Sequence, residues 1–290
     1  MSEQKHTKLG QFFATAICGN DILSSALYVS GIAAIFAGVY APIVLAAIGV
    51  VLFFYRTVYR EVVEALPVNG GAYNGLLNGT SKTVAAVAGV MTILSYIATA
   101  VISAKTAVEY LFKFLEKLFP AVGLHGVEEY FPALVIPAII AVLFGFALLV
   151  ISGVKDSAKV AAGIFSFHVF TLISFIVIGA IIVFSGTSVF SLNMDLTNTL
   201  VASKGGLLPT LFFAFSACLL GVSGFESSAN FVEEQKKGVF KKTLRNMLIG
   251  VAVFNPLIAL VVLNVLPIPE IAMAKDFLLA EAAYSMGGLL

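Results

Sequence analysis

The stretch AICGNDILSSALYVSG, Ala16–Gly31, lies inside the first long apolar run of the chain and is poorly suited to a plain membrane helix. Gly19, Asn20 and Asp21 have weak helix propensity, and Ser24 and Ser25 compete for backbone hydrogen bonds. A carboxylate at the centre of a bilayer costs at least about 2.5–3.5 kcal/mol. Such a segment persists in lipid only where unwound backbone lines a cavity or is buried in protein.

Composition places the stretch in a membrane. The 290 residues are 60% hydrophobic and only 11% charged, well below the charge content of soluble domains. The net charge of +1 gives no reason to expect a nucleic-acid or acidic partner. Cys18 and Cys218 both sit in apolar runs and read as buried thiols rather than a disulfide framework. The first apolar run lacks a signal-peptide pattern and reads as a retained helix.

Seven apolar stretches are long enough to span: Gly10–Gly38, Ile43–Leu66, Thr83–Phe112, Ala133–Ser152, Ala158–Ser185, Leu207–Val232 and Thr243–Leu266. With the N-terminus inside, 12 Lys and Arg fall on the inner side and 4 on the outer side, with Lys105 inside a span. This asymmetry predicts a cytoplasmic N-terminus, and the plasma membrane is the expected location. Of the two longest outer connections, Lys113–Pro132 begins amphipathically and is expected on the membrane surface; Gly186–Gly206 reads as polar and turn-rich.

The sixth span repeats the character of the first. CLLGVSGFESSAN, Cys218–Asn230, carries Gly221, Ser223, Gly224, Glu226, Ser227 and Ser228, and its Ser-Ser-Ala triplet follows that at Ser24 by 203 residues. Five spans separate the two starts, so a second unit would be inverted, and matched breaks in two repeats point to a transporter binding site. Packing interfaces rich in small residues would explain the glycines and serines, but not Asp21 and Glu226. The expected helix-break backbone is Gly19, Asn20, Gly221 and Gly224. Tyr96, Thr99 and Ser103, spaced i, i+3, i+7, share one face of the third span.

Three motifs carry a family resemblance: the interrupted first span, ALPVNGGAYN (Ala65–Asn74) after the second, and GFESSANFVEEQKKGVFKKTLRN (Gly224–Asn246). Together they resemble the amino acid–polyamine–organocation (APC) superfamily of secondary transporters over essentially the whole chain. The resemblance implies an all-α polytopic membrane protein with the LeuT/APC-like 5+5 inverted-repeat fold. Of that fold the chain supplies five plus two spans: a cytoplasmic N-terminus at 1–9, a first repeat at 10–185, an extracellular loop at 186–206, the start of the second repeat at 207–266, and an extracellular segment at 267–290 leading into an eighth span. A fragment of a longer protein, half of a split carrier and a non-transporting sensor or remnant are the readings of that length.

Amino acid carriers of the superfamily usually have a glycine-rich first-span break whose amides receive a carboxylate; Asp21 would repel one. DILSSALY, Asp21–Tyr28, is similar to the first-span motif of KUP-type potassium transporters and closer still to that of KimA-type importers. Carried over residue by residue, the latter implies a site of Asp21 and Tyr28, Tyr96, Thr99 and Ser103, and Ser223, where the importers have threonine. The implied function is alternating-access, proton-coupled uptake of potassium or a similar monovalent cation held by these six residues; the alternative is an amino acid or amine permease. No cofactor is expected beyond transported or coupling H+ and K+. The expected partners are the bilayer and the small cation or amino acid cargo, with a homodimer, or the C-terminal half of a split carrier, also compatible.

Bland readings stand beside these. As lesser alternatives, Asp21 reads as a protonated cap of the break, Tyr28 as a packing aromatic, and the Tyr96–Thr99–Ser103 stripe as polar glue between helices. Glu226 reads as a proton carrier or as a structural partner of the broken helix. Lys105 and Glu109 are expected to pair, His168 to be core, and Pro256 to kink the seventh span. An intramembrane enzyme is disfavoured: there is no His-Glu-x-x-His, and no second aspartate within a span to pair with Asp21.

Overall fold

The computed structural model describes residues 8–121 and 126–287. The expected N-terminal segment therefore lies outside the described residues up to residue 7, as do 122–125 of the third connection and 288–290 of the expected lead into an eighth span. The described chain is helical, apart from a parallel bridge between Leu9 and Gln235. Among the described residues, six helical stretches are long and apolar enough to cross a membrane. The first of these, Gln11–Ala65, is 55 residues long, about 80 Å if straight, against about 30 Å of hydrocarbon. It contains two of the seven expected spans, folded back at Gly38–Tyr40. Gly38 has φ +57°, and a Cβ there would collide with the Thr197 hydroxyl, so the turn requires glycine.

The first span is α1 (Gln11–Ser24), a 3-10 turn (Ser25–Leu27) and α2 (Val29–Ala37). The second is α3 (Ala41–Ala65), followed by the hairpin helix α4 (Gly71–Gly79). The third, α5 (Lys82–Ala121), runs for 40 residues. A 3-10 turn leads into α6 (Phe131–Ile151), then α7 (Val154–Phe184) and α8 (Phe190–Ser203). The sixth span is α9 (Leu207–Cys218), a 3-10 stretch (Leu219–Val222) and a second one (Phe225–Glu234). The seventh is α10 (Val239–Val265), containing Pro256, and α11 (Ile268–Met273) and α12 (Leu278–Ser285) follow.

The core is the packing of α1–α2, α3 and α10 with the broken sixth span and one side of α7. Small residues permit the approach: a Cβ on Gly49 would meet Ala252 at 3.2 Å and one on Gly250 would meet Leu23 at 3.1 Å. α5 and α6 pair outside this core, and α6 has no buried residue. Their exposed Ile136, Ile140, Phe144 and Val150 suit contact with lipid chains.

Two connections differ from their sequence readings. The amphipathic start of Lys113–Pro132 does not leave the third span, because α5 continues through it to Ala121. Gly186–Gly206 contains α8 rather than a polar loop. Its polar residues complete neighbouring helix ends: the Asn193 amide donates to the carbonyls of Leu263 (2.7 Å) and Leu266 (2.9 Å) and accepts from the Ile268 N–H (2.9 Å). Thr197 accepts from the Val39 N–H (3.0 Å). Asn193 and Thr197 thus serve the orphan groups of helix termini, while Ser191, Asp195, Asn198 and Thr199 on the same helix are exposed.

The segment after α10 is tied to α5. Lys105 pairs with Glu109 (2.8 Å), as expected, and also with Asp276 (3.5 Å); Lys113 reaches Glu281 (3.7 Å). Tyr110 accepts from the Leu279 N–H and donates to the Leu27 carbonyl, both at 3.1 Å. The second bond occupies a carbonyl of the first-span break.

Candidate binding site

The first break lies one turn beyond its expected place. Gly19 and Asn20 are not break backbone; both are inside α1. Packing overrides their propensity: a Cβ on Gly19 would collide with the Phe165 ring, and the Asn20 amide donates to the Ala161 carbonyl of α7 (2.7 Å). The helix loosens instead at Ser25–Leu27, where Tyr28 leaves helical geometry (φ −131°, ψ −31°) before α2 restarts. Ser24 and Ser25 turn their hydroxyls back to the carbonyls of Asp21 (2.6 Å) and Ile22 (2.7 Å), the competition that weakens a helix at this point.

The second break contains both expected glycines. Gly221 is in the 3-10 stretch, Ser223 is extended (φ −56°, ψ 140°), and Gly224 is left-handed (φ +92°). A Cβ on Gly224 would stand 2.7 Å from Cγ of Asp21 and 2.9 Å from each of its carboxylate oxygens. The Asp21 side chain thus lies directly on the sixth-span hinge, and the Ser227 hydroxyl donates to Oδ2 of Asp21. The serine that opens the second Ser-Ser-Ala triplet therefore engages the acid just before the first.

The six expected ligands fall into separate groups. Asp21 is joined to Ser227, with Tyr28 at the break within electrostatic reach of it. Tyr96 accepts from the Asn230 amide. Thr99 and Ser223 line a cavity of about 410 Å³ together with Glu226, Tyr55, Ser95 and residues of the 219–222 stretch. Ser103 is on α5 but does not line that cavity. A single cage of these six around one ion is therefore not assembled in this conformation. Glu226, at the start of the second 3-10 stretch, faces the Gly224 N–H, and Asp21 lies within its electrostatic reach. Glu226 and the hydroxyl-bearing Ser95, Thr99 and Ser223 thus line one cavity between the sixth-span break and α5, with Asp21 within electrostatic reach of Glu226.

Sequence reasoning missed Ser227, Asn230, Ser95 and Tyr55 as members of the site. The signal for Ser227 was present in the aligned triplets, and Ser95 immediately precedes Tyr96; nothing local singles out Asn230 or Tyr55.

The hairpin after the second span clasps the end of the sixth. The Glu233 N–H donates to Oδ1 of Asn69 (2.9 Å), and the Asn69 N–H donates to Oε2 of Glu233 (3.3 Å). Leu9 is held on both sides of Gln235, donating to the Glu234 carbonyl (2.7 Å) and accepting from the Lys236 N–H (3.0 Å).

Residues 9–288 match the model of a family described as amino acid permease. No curated protein matches the chain.

Proposed function

This chain belongs to the amino acid permease family, and on that premise we propose that it is a secondary transporter carrying a small amino acid or amine across the bilayer by alternating access. The observation that carries this reading is the cavity walled by the sixth-span break. It is open on one side, and its volume of about 410 Å³ lies in the range of small-molecule sites. Glu226 supplies a carboxylate for the cargo's ammonium group. Ser95, Thr99 and Ser223 supply hydroxyls that both donate and accept. Backbone released by the two breaks supplies further polar partners without further side chains. Glu226 is also the group placed to carry a coupling proton, being a carboxyl in the cavity wall beside a second one.

A second reading, uptake of potassium or a similar monovalent cation, is favoured by Asp21. Its carboxylate lies against the hinge of the other broken span, with Ser227 on one oxygen. Closing the cavity around an ion would bring the α5 hydroxyls toward this pair. In both readings the charge asymmetry of the connections supports a cytoplasmic N-terminus, and the plasma membrane is the location the account proposes.

Uptake into proteoliposomes separates the two. Labelled amino acids and putrescine are compared with labelled rubidium, with and without an imposed proton gradient. Amino acid or amine uptake that rubidium does not compete, and that Glu226→Gln abolishes, supports the first reading. Rubidium uptake lost in Asp21→Ala, and indifferent to amino acids, supports the second.

A further inference from the structure

Asn255 is 1% exposed, yet neither its amide nitrogen nor its amide oxygen has a partner. Buried amides are almost always paired, and one left unpaired calls for a reason. The residue precedes Pro256 in the middle of α10. Its side chain points toward the two breaks: a Cβ on Gly221 would stand 3.9 Å from the Asn255 nitrogen and 3.3 Å from Val29, the first residue of α2. Gly221 belongs to the 3-10 stretch Leu219–Val222, and its neighbours Leu219, Leu220 and Val222 line the cavity. The stretch is therefore a thin wall, with the cavity on one side and an unsatisfied amide on the other. Unwound backbone offers both N–H and C=O groups without intrahelical partners. A primary amide carries the matching acceptor and donors.

We propose that Asn255 is a positioning residue that receives the 219–222 wall of the sixth-span break when cargo enters the cavity. Resting on the transport reading above, the inference adds the device that couples occupancy to helix movement. Cargo displaces the wall away from Glu226 and toward α10; the wall's backbone then pairs with the amide, whose orphaned atoms disfavour the empty state. The occupied arrangement is stabilised relative to the empty one without any contact between Asn255 and cargo. A cation resting on Asn255 is a poorer explanation, because it would satisfy the oxygen and leave the nitrogen facing a positive charge.

The test is hydrogen–deuterium exchange of peptides spanning 219–224 in the full chain in nanodiscs, with and without an equimolar mixture of the twenty proteinogenic amino acids and putrescine, in wild type and Asn255→Leu. In the wild type the mixture is expected to slow exchange of this segment by about 5- to 150-fold, the range for coupling of this kind. Asn255→Leu is expected to lose that cargo-dependent change while its cargo-free melting temperature stays the same or rises, since the substitution removes two unpaired groups. Retained protection in Asn255→Leu overturns the inference alone. A lower cargo-free melting temperature also overturns it, because the amide would then be structural in the resting state. No response of the wild-type segment, in a protein that takes up amino acids or putrescine, overturns the inference and leaves the transport reading standing. No response, and no uptake of amino acids or putrescine, overturns both.

Discussion

Replacing Gly224 by alanine tests the hinge between the two broken spans. Its φ of +92° is a conformation that L side chains rarely adopt, and a Cβ there costs about 1–2 kcal/mol. The added methyl would also stand 2.7 Å from Cγ of Asp21 and 2.9 Å from both oxygens, far inside contact distance. Asp21 must then move, and its bond from Ser227 is lost; hydrogen bonds to charged groups contribute about 1.5–3 kcal/mol. The combined effect is about 2.5–5 kcal/mol, so the population holding the described hinge should fall about 70-fold or more. The assay is proteoliposome uptake of the cargo identified for the wild type, together with the melting temperature in detergent. Gly163→Ala is the control, since nothing lies within 4 Å of a Cβ there and the position is in the middle of α7. It should be neutral or stabilise by up to about 1 kcal/mol. A Gly224→Ala protein with wild-type melting and wild-type uptake would refute the reasoning, because neither the left-handed hinge nor the Asp21 contact would then exist.

Three further outcomes follow from the geometry. Asn193→Leu strips two buried bonds and one part-buried bond from the ends of α10 and α11; it should destabilise by about 2–4 kcal/mol, read as a lower melting temperature. Tyr110→Phe frees the Leu27 carbonyl and the Leu279 N–H; exchange at 278–285 should accelerate, with a stability loss of about 1–3 kcal/mol. Lys105→Met breaks pairs with Glu109 and Asp276 that are substantially exposed; the melting temperature should shift by no more than about 1 kcal/mol corresponds to, and less at high salt.

Much of this arrangement is legible in the chain because its signals are periodic or repeated. Apolar runs of span length announce the helices, and the Ser-Ser-Ala triplets 203 residues apart point to two breaks that the structure brings into contact through Asp21 and Ser227. The exact position of the first break was not legible. Gly19 and Asn20 look like the weak point by propensity, but the Phe165 ring needs a residue without a side chain and the Ala161 carbonyl needs a donor. Tertiary partners on α7 thus hold helical residues that are weak alone, and the failure moves to the serines. The polar run of α8 misled for a related reason: Asn193 and Thr197 look solvated until the helix ends they complete are in place. Asn255 carries no local mark at all, since only the absence of a partner in three dimensions distinguishes it.

The central claim is that the two broken spans meet at a carboxyl-bearing cargo site. It is tested most directly by initial uptake of labelled amino acids and amines into proteoliposomes holding wild type, Asp21→Asn or Glu226→Gln. The account predicts measurable wild-type uptake, reduced about tenfold or more in each variant, a loss of about 1.4 kcal/mol or more, with melting temperatures preserved. Unchanged uptake in both variants would contradict it.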